Sequence, residues 1–394
     1  RDHGDDVEFT AKTLNIAHPT SVAARSVIES MTKPNSKSVQ DIGFGAISIT
    51  AAKIKSDERN GSLASVSWGE TRSENRQGKV DLTIGQVNLV VPGEDNAQDL
   101  TLNFDGMNAR ALNIGGQIDS SQAMSANGVV GSVLGNLNAF EKPYDRIIIE
   151  KLNVTAEGFS LDFGGIEGVT TEKSELITTH QNLKPTKITL KPALGEIPSF
   201  KRNYDILKSL DFETINLSGS SVTTLNKADD SIAVSDGLFV IEDALKLNFE
   251  YEAEGLAEMT KKMETLGTSS SGPDAIAIYE PLKLKDFRLT LEDNSIVSRG
   301  MTLATEITGQ SEKNLKRSLG MAVFAAALAA ENEVQAEVYS ETIEAFSDFV
   351  KKGGTLTIEA NPPAPFPLAP LITDKGEGVD PDTLGFSASQ QGGK

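Results

Sequence analysis

The sequence predicts a mainly β protein with a few helices: a long curved antiparallel sheet, a β-groove or a sandwich, joined to a C-terminal helical pair. Three observations predict this class. Leu282–Leu291 reads LKLKDFRLTL, with apolar side chains at Leu282 and Leu284, a two-residue step, then Phe287, Leu289 and Leu291. Alternation marks a strand with one buried and one wet face, and the step would invert the apolar set unless a bulge or bend absorbs a residue. The spacing also recurs. Leu82 and Ile84 are followed across Gly85-Gln86 by Val87, Leu89 and Val91, and Leu102 and Phe104 by Met107, Ala109 and Ala111. Looser copies run from Leu152 and Val154 to Phe159, Leu161 and Phe163, and from Ile215 and Leu217 to Val222. Finally, Ser311–Lys352 is the only long stretch with helical periodicity. The copies keep no fixed period, which excludes a regular solenoid; ordinary hairpins of an all-β protein would supply the same pattern.

In chain order, Phe9–Ile16 reads as a strand, and Pro19-Thr20-Ser21 opens a short helix with Val22, Val27, Ile28 and Met31 on its apolar face, stopped by Pro34. Ile42–Ile54 and Leu63–Trp68 alternate as strands. Asn127–Phe140 places Val129, Val130, Val133, Leu134, Leu137 and Phe140 at helical spacing. Thr170–Lys187 is polar and reads as loop, and Asn203–Leu210 as a short helix. Leu245, Leu247, Phe249 and Tyr251 make a clean strand; Leu256, Met259, Met263 and Leu266 make a helix that ends at the Gly267–Gly272 link. Ile296–Gly309 is expected to return as a strand. Leu315, Leu319, Val323, Ala326 and Ala330 then line the first helix of the pair, with Val334, Val338, Ile343, Phe346, Phe349 and Val350 on the second, stopped by Gly353-Gly354. Thr355–Glu359 is strand, and the Pro-rich Pro362–Pro370 is extended. These readings group into a β-rich region with short helices over 1–266, a strand, helical pair and strand over 273–372, and a flexible tail over 373–394.

The formal net charge of −19 over 394 residues offers no contiguous surface to neutralise phosphates, which excludes nucleic acid as a partner. With no cysteine, there are no disulfides, thiolate metal sites or cysteine nucleophiles. His3, His18 and His180 are scattered, and none shares a helix face with a second ligand at metal-binding spacing. Gly131–Gly135 is not a nucleophile elbow, since the serine lies directly after the first glycine. Asp229-Asp230 with Asp236-Gly237 fails as a calcium loop, because Ile232 and Val234 stand where oxygen ligands are needed. No catalytic residue, metal or cofactor is nominated, and the chain reads as non-enzymatic; a carboxylate hydrolase is the weakest of the readings. The start at Arg1 resembles a processed or trimmed terminus, and the expectation it carries is an export signal or membrane anchor ahead of it. The apolar run Ser318–Ala330 is too short to span a bilayer.

The stretches LKLKDFRLTL and Lys151–Phe163 (KLNVTAEGFSLDF), with Phe349–Ile358 and the Pro-rich segment after it, resemble the AsmA-like and YdgA-like envelope proteins of Gram-negative bacteria over Leu82–Leu368. The resemblance implies a periplasmic or cell-envelope location, outer-membrane maintenance and lipid passage along a β-groove. It transfers no catalytic residue. The chain departs from that group in lacking a visible membrane helix and in being short for a bridge between two membranes. Physically, a sheet with one apolar face must cover it with another sheet, helices or a ligand. Phe104, Phe159, Leu161, Phe163, Leu247, Phe249, Phe287, Leu289 and Leu291 are therefore the candidates to line a hydrophobic groove, and the same nine would equally serve as dry core. The function expected is binding or passage of a lipid or acyl chain; the alternative is a structural or adaptor protein of the envelope or cell surface working through a protein partner.

Overall fold

The structure, a computed structural model, describes residues 8–17, 46–55, 60–70, 79–91, 98–113, 142–266, 278–317, 333–369 and 381–393. The chain is mainly β, its strands pair antiparallel, and five α-helices lie among the described residues. It falls into two compact units, Arg1–Gly115 with Pro143–Val169, and Gly116–Lys142 with Thr170–Lys394.

Among the described residues the first unit is made of strands alone. β1 (Glu8–Thr10) and β2 (Thr13–Ala17) both pair with β3 (Ala46–Lys55), which pairs with β4 (Asn60–Glu70). Beyond β4 every strand is bent into two halves. β5 (Lys79–Ile84) and β6 (Val87–Val91) share β4 as a partner and are parted only by Gly85-Gln86. β7 (Leu100–Phe104) pairs with β6, and β8 (Met107–Asn113) with β5, on either side of Asp105-Gly106. β9 (Arg146–Ile149) and β10 (Leu152–Thr155) repeat this against β8 and β7 around Glu150-Lys151. β11 (Phe159–Phe163) pairs with β10 and β12 (Ile166–Lys173) with β9, around Gly164-Gly165.

The two-residue steps thus align, strand beside strand, into one crease. Hydrogen bonds cross it: Glu150 N–H donates to the Gly106 carbonyl and Asp105 N–H to that of Lys151, both at 2.8 Å. Glycine is required at two places on the crease. Gly106 has φ +133° and Gly165 φ +106°, and a Cβ there would stand 2.7 Å from the Ile84 carbonyl oxygen and 2.5 Å from that of Ile149. The looser copy at Leu152–Phe163 is a different object. Its two halves are the strands of a hairpin, turned at Glu157-Gly158 where Ala156 N–H reaches the Phe159 carbonyl at 2.9 Å, and the true bend follows at Gly164-Gly165. Ala109, Leu112 and Tyr144 form the buried core of this unit, with Leu82, Met107 and Ile147 packed around them.

In the second unit a meander runs from β13 (Leu176–Leu190) through β14 (Thr214–Asn226), β15 (Ser231–Ile241), β16 (Leu245–Glu254) and β17 (Lys283–Asp293) to β18 (Thr355–Ala360) and β20 (Phe386–Gln391); β19 (Phe366–Pro367) joins β17. Here bends are made by bulges. Register shifts fall at Lys184-Pro185, where the proline has no N–H to give the ladder, and at Ser221, at Ser235-Asp236 and at Lys285. The phase change in LKLKDFRLTL is therefore a bulge at Lys285: Leu284 faces Ala253 and Phe287 faces Tyr251, so both halves return to the same face.

The stretch Thr170–Lys187, expected as loop, is strand in β12 and β13. Its threonines are β-branched, and their hydroxyls bridge neighbouring strands, Thr170 to Thr179 at 3.1 Å and Thr178 to Thr224 at 3.4 Å. Ile296–Gly309, expected as strand, is helix. The Asp293 carboxylate accepts from Val297 N–H at 3.0 Å, the Ala244 carbonyl takes N–H groups from Asn294, Ser295 and Ile296, and Gly309 closes the far end in the left-handed conformation. This helix, α3 (Ile296–Thr308), follows α1 (Lys201–Ser209) and α2 (Leu256–Leu266), both close to the positions expected for helices. Of the expected C-terminal pair, the second member is α4 (Glu333–Lys352), while 318–332, most of the first, lies outside the described residues. So do the helices expected at Val22–Met31 and Asn127–Phe140. β16 and β17 pair in register on either side of the expected boundary at 266–273, and Phe386–Gln391, in the stretch expected to be a loose tail, pairs along β18 after the short α5 (Pro381–Leu384).

Candidate hydrophobic-ligand face

β16 alternates without interruption, so it sets the two faces of the second unit's sheet. Leu245, Leu247, Phe249, Tyr251 and Ala253 take one face; Lys246, Asn248, Glu250, Glu252 and Glu254 take the other. Register extends each face across the neighbouring strands. One apolar row runs Phe239, Leu247, Leu291, Leu356; the next Phe249, Leu289, Ile358, Ala388; a third Val234, Tyr251, Phe287, Ala360, Phe386. Phe249 lies over Gly237, where any Cβ would overlap the Phe249 carbonyl oxygen and ring, so the glycine is what lets the ring lie flat on the sheet.

The opposite face is a ladder of ion pairs. Lys246 meets Glu292 at 3.8 Å, Lys283 meets Glu254 at 3.5 Å, Lys285 bonds Glu252, and Arg288 bonds Glu359 at 2.6 Å with Glu250 at 4.0 Å. The bond to Glu252 raises the Lys285 pKa, and the bond to Glu359 raises the Arg288 pKa. A charged face of this kind stays in water, so the sheet is one-sided. At the bulge this face holds a polar depression of about 440 Å³ bordered by Asp236, Asn248, Glu250 and Arg288. Arg288 is already committed to two carboxylates, which leaves the depression without an uncommitted cation from its own wall.

Two places on the apolar face are sealed. Leu256 and Met259 of α2, at 1% and 0% exposure, cap Ile232 and Ala253 together with Leu282. Toward the other end Ala345 and Phe349 of α4 close on Leu356, with Leu291, Val297, Ile358 and Ala388 around them. Between the seals Phe239, Leu247, Phe249, Phe287 and Leu289 are half-buried. Tyr251 packs against the α2 seal, and this partial burial pushes its phenol pKa up.

A family model described as "Uncharacterized protein" matches residues 238–391. That span runs from Leu238 of β15 to the last residue of β20, and so takes in the α4 seal, the α2 seal except Ile232, and most of the rows between them. No curated protein matches the chain.

The nine residues that the sequence nominates fall into two groups. Leu247, Phe249, Phe287, Leu289 and Leu291 share the face just described and lie inside the matched span. Phe104, Phe159, Leu161 and Phe163 belong to the first unit and lie outside it. There Phe104 and Phe163 flank Leu152, and Leu161 continues the row Leu89, Leu102, Val154. Phe104, Leu161 and Phe163 are half-buried, while Phe159 is 37% exposed. Phe239 and Tyr251 complete the second unit's face and stand outside the nine. Tyr251 sits on the alternation recognised in β16; Phe239 enters only through its pairing with Leu247, a long-range relation that alternation within one strand does not reveal.

Among the described residues no helix is long and apolar enough to cross a membrane, and no group of three His, Cys, Asp or Glu is placed to hold a metal ion.

Proposed function

We propose that the protein binds or passes an acyl chain or similar hydrophobe on the apolar face of the second unit, as a non-enzymatic protein of the bacterial cell envelope. The observation that carries this is the one-sided sheet. Its outer face is committed to ion pairs, and its inner face holds a run of large apolar side chains, Phe239, Leu247, Phe249, Phe287 and Leu289, left half-buried between two fully buried seals. Covering such side chains stabilises by roughly 25 cal/mol per Å² of apolar surface, so a flexible hydrocarbon is a favourable occupant. The envelope setting is supported by the resemblance to AsmA-like and YdgA-like proteins alone.

The test is native mass spectrometry and solvent extraction of the purified chain, followed by titration with a fluorescent fatty acid. Co-purifying lipid and saturable uptake, weakened several-fold by Leu289→Asn with the circular dichroism spectrum unchanged, are expected. No extracted lipid and no uptake would end the proposal, and a single stoichiometric protein partner in their place would favour the adaptor alternative.

A further inference from the structure

α1 and α3 lie side by side at the end of the second unit where β13 turns into β14. Arg299 staples them: its guanidinium donates to the carbonyls of Leu210 at 3.1 Å and Asp211 at 3.0 Å, and lies over the Phe212 ring at 4.8 Å. The length of α1 and the end of α3 border an open groove of about 580 Å³, whose apolar wall is Pro198, Ile206, Leu303 and Ile307. Ile307 is 69% exposed, Phe200 50% and Ile197 42%, all among the most exposed large apolar side chains of the described residues. Ile307 lines the groove, and Ile197 and Phe200 flank its residues Pro198, Lys201 and Arg202 in the chain; exposed large apolar side chains of this kind mark a surface that meets something apolar.

The chain segment that leads into and forms α1 is unusually basic for this protein. The protein carries −19 overall, yet Lys184–Lys208 holds six cations against two carboxylates. Lys201 and Arg202 occupy the first turn of α1, which has no acidic residue. Cations there oppose the helix macrodipole, so helix stability does not account for them. They form no ion pair among the described residues, although Asp205 and Glu306 border the same groove. Exposed Phe and Ile beside unpaired cations match one surface chemistry, that of an anionic bilayer, where apolar side chains enter the headgroup–acyl boundary and Lys and Arg meet phosphates.

We propose that the exposed rim of the α1–α3 groove docks on an anionic lipid bilayer, with Ile197, Phe200 and Ile307 entering the interface and Lys201 and Arg202 against the headgroups. The remaining negative charge is screened beyond roughly 8 Å at physiological ionic strength, so contact is confined to this patch. The proposal stands apart from the acyl-chain reading, because vesicle docking and fatty-acid uptake are separate measurements.

The absence of cysteine makes the test direct. The full chain is sedimented with vesicles of phosphatidylglycerol and phosphatidylcholine, and with phosphatidylcholine alone. Ile307→Cys and, as a control on β20, Ser387→Cys carry an environment-sensitive fluorophore. Expected are at least tenfold stronger binding to the anionic vesicles, loss of binding in high salt, a blue shift at position 307 but not 387, and about tenfold weaker binding for Lys201→Glu with Arg202→Glu. Phe200→Ser should weaken binding without touching the charge. Equal binding by the charge-reversed variant, no binding at all, or self-association without vesicles that Phe200→Ser abolishes would each overturn the proposal; the last would identify a second copy of the chain as the occupant.

Discussion

The two units write the same sequence signature and fold it by different means. In the first, the step between apolar pairs becomes a crease of aligned bends, with glycine at Gly106 and Gly165 where neighbouring carbonyls leave no room for a side chain. In the second, the step is a bulge with a side chain on it, Asp236 at φ +51° or Lys285, and the sheet on either side stays one continuous meander. The difference also runs through packing. The first unit has no helix of its own among the described residues, whereas the second unit's rows are sealed by α2 and α4. An alternating pattern with a phase step therefore specifies that a strand bends, but the residue at the step decides whether the bend tolerates side chains.

The largest effect should come from the crease. Gly106→Val and Gly165→Val combine a positive φ with a Cβ at 2.7 Å and 2.5 Å from a carbonyl oxygen, and each should destabilise by about 3 kcal/mol or more in chemical denaturation. Asp236→Gly, at the corresponding bend of the second unit, should change stability by less than about 1 kcal/mol, since the aspartate already tolerates the left-handed conformation. Equal losses at all three positions would break the distinction between crease and bulge.

Next in size is the contrast between seal and open face. Met259→Ala removes a side chain at 0% exposure and should cost about 2–5 kcal/mol. Leu289→Ala, half-buried, should cost less than that while weakening fatty-acid uptake, because truncation there leaves no enclosed cavity. A smaller change of the opposite sign is expected at Gly300, exposed in α3, where an added Cβ would meet nothing within 4 Å. Gly300→Ala should stabilise by about 0.5–1 kcal/mol in thermal unfolding.

Much of this is legible in the sequence, and the reasons differ by element. Alternation over Leu245–Tyr251 and Leu282–Leu291 locates β16, β17 and five face residues, because a half-buried strand imposes its period directly on the chain. The bulge at Lys285 is legible as a phase change. Thr170–Lys187 is not, since polar residues fill most of its positions, the buried Ile177 stands without an apolar period around it, and the strand announces itself only through β-branched threonines. Ile296–Thr308 reads as a strand because its apolar residues fit both periods over so short a run; what makes it a helix is capping by Asp293 and anchoring on the Ala244 carbonyl, which only the tertiary structure supplies. The α1–α3 groove joins Lys201 to Ile307, more than a hundred residues apart, and no local pattern connects them.

The smallest expected effect bears on the charged face. Glu252→Gln removes the negative charge that accepts the Lys285 bond, and because both side chains are about a third exposed the loss at neutral pH should stay below about 1 kcal/mol. Its pH dependence is more informative than its size. The Lys285 pKa is raised in the folded chain, first by the hydrogen bond to Glu252, so the pair's contribution is complete below the ordinary lysine value near 10.5 and is lost as pH rises through the raised value. The stability gap between wild type and Glu252→Gln should therefore hold steady from about pH 7 to 9 and close at higher pH. Tyr251 has the same sign: burial raises its pKa, so its ionisation destabilises the fold as pH passes its ordinary value of 10.0, but that loss is common to both proteins and cancels in the difference. Tyr251→Phe in both backgrounds removes it altogether. Guanidinium is itself a salt, so the comparison is made in urea, and added salt should narrow the gap at neutral pH. A gap that persists above the lysine titration would mean that Glu252 acts through its packing in β16, and the outer face of the second unit would then be held by the strands and not by their charges.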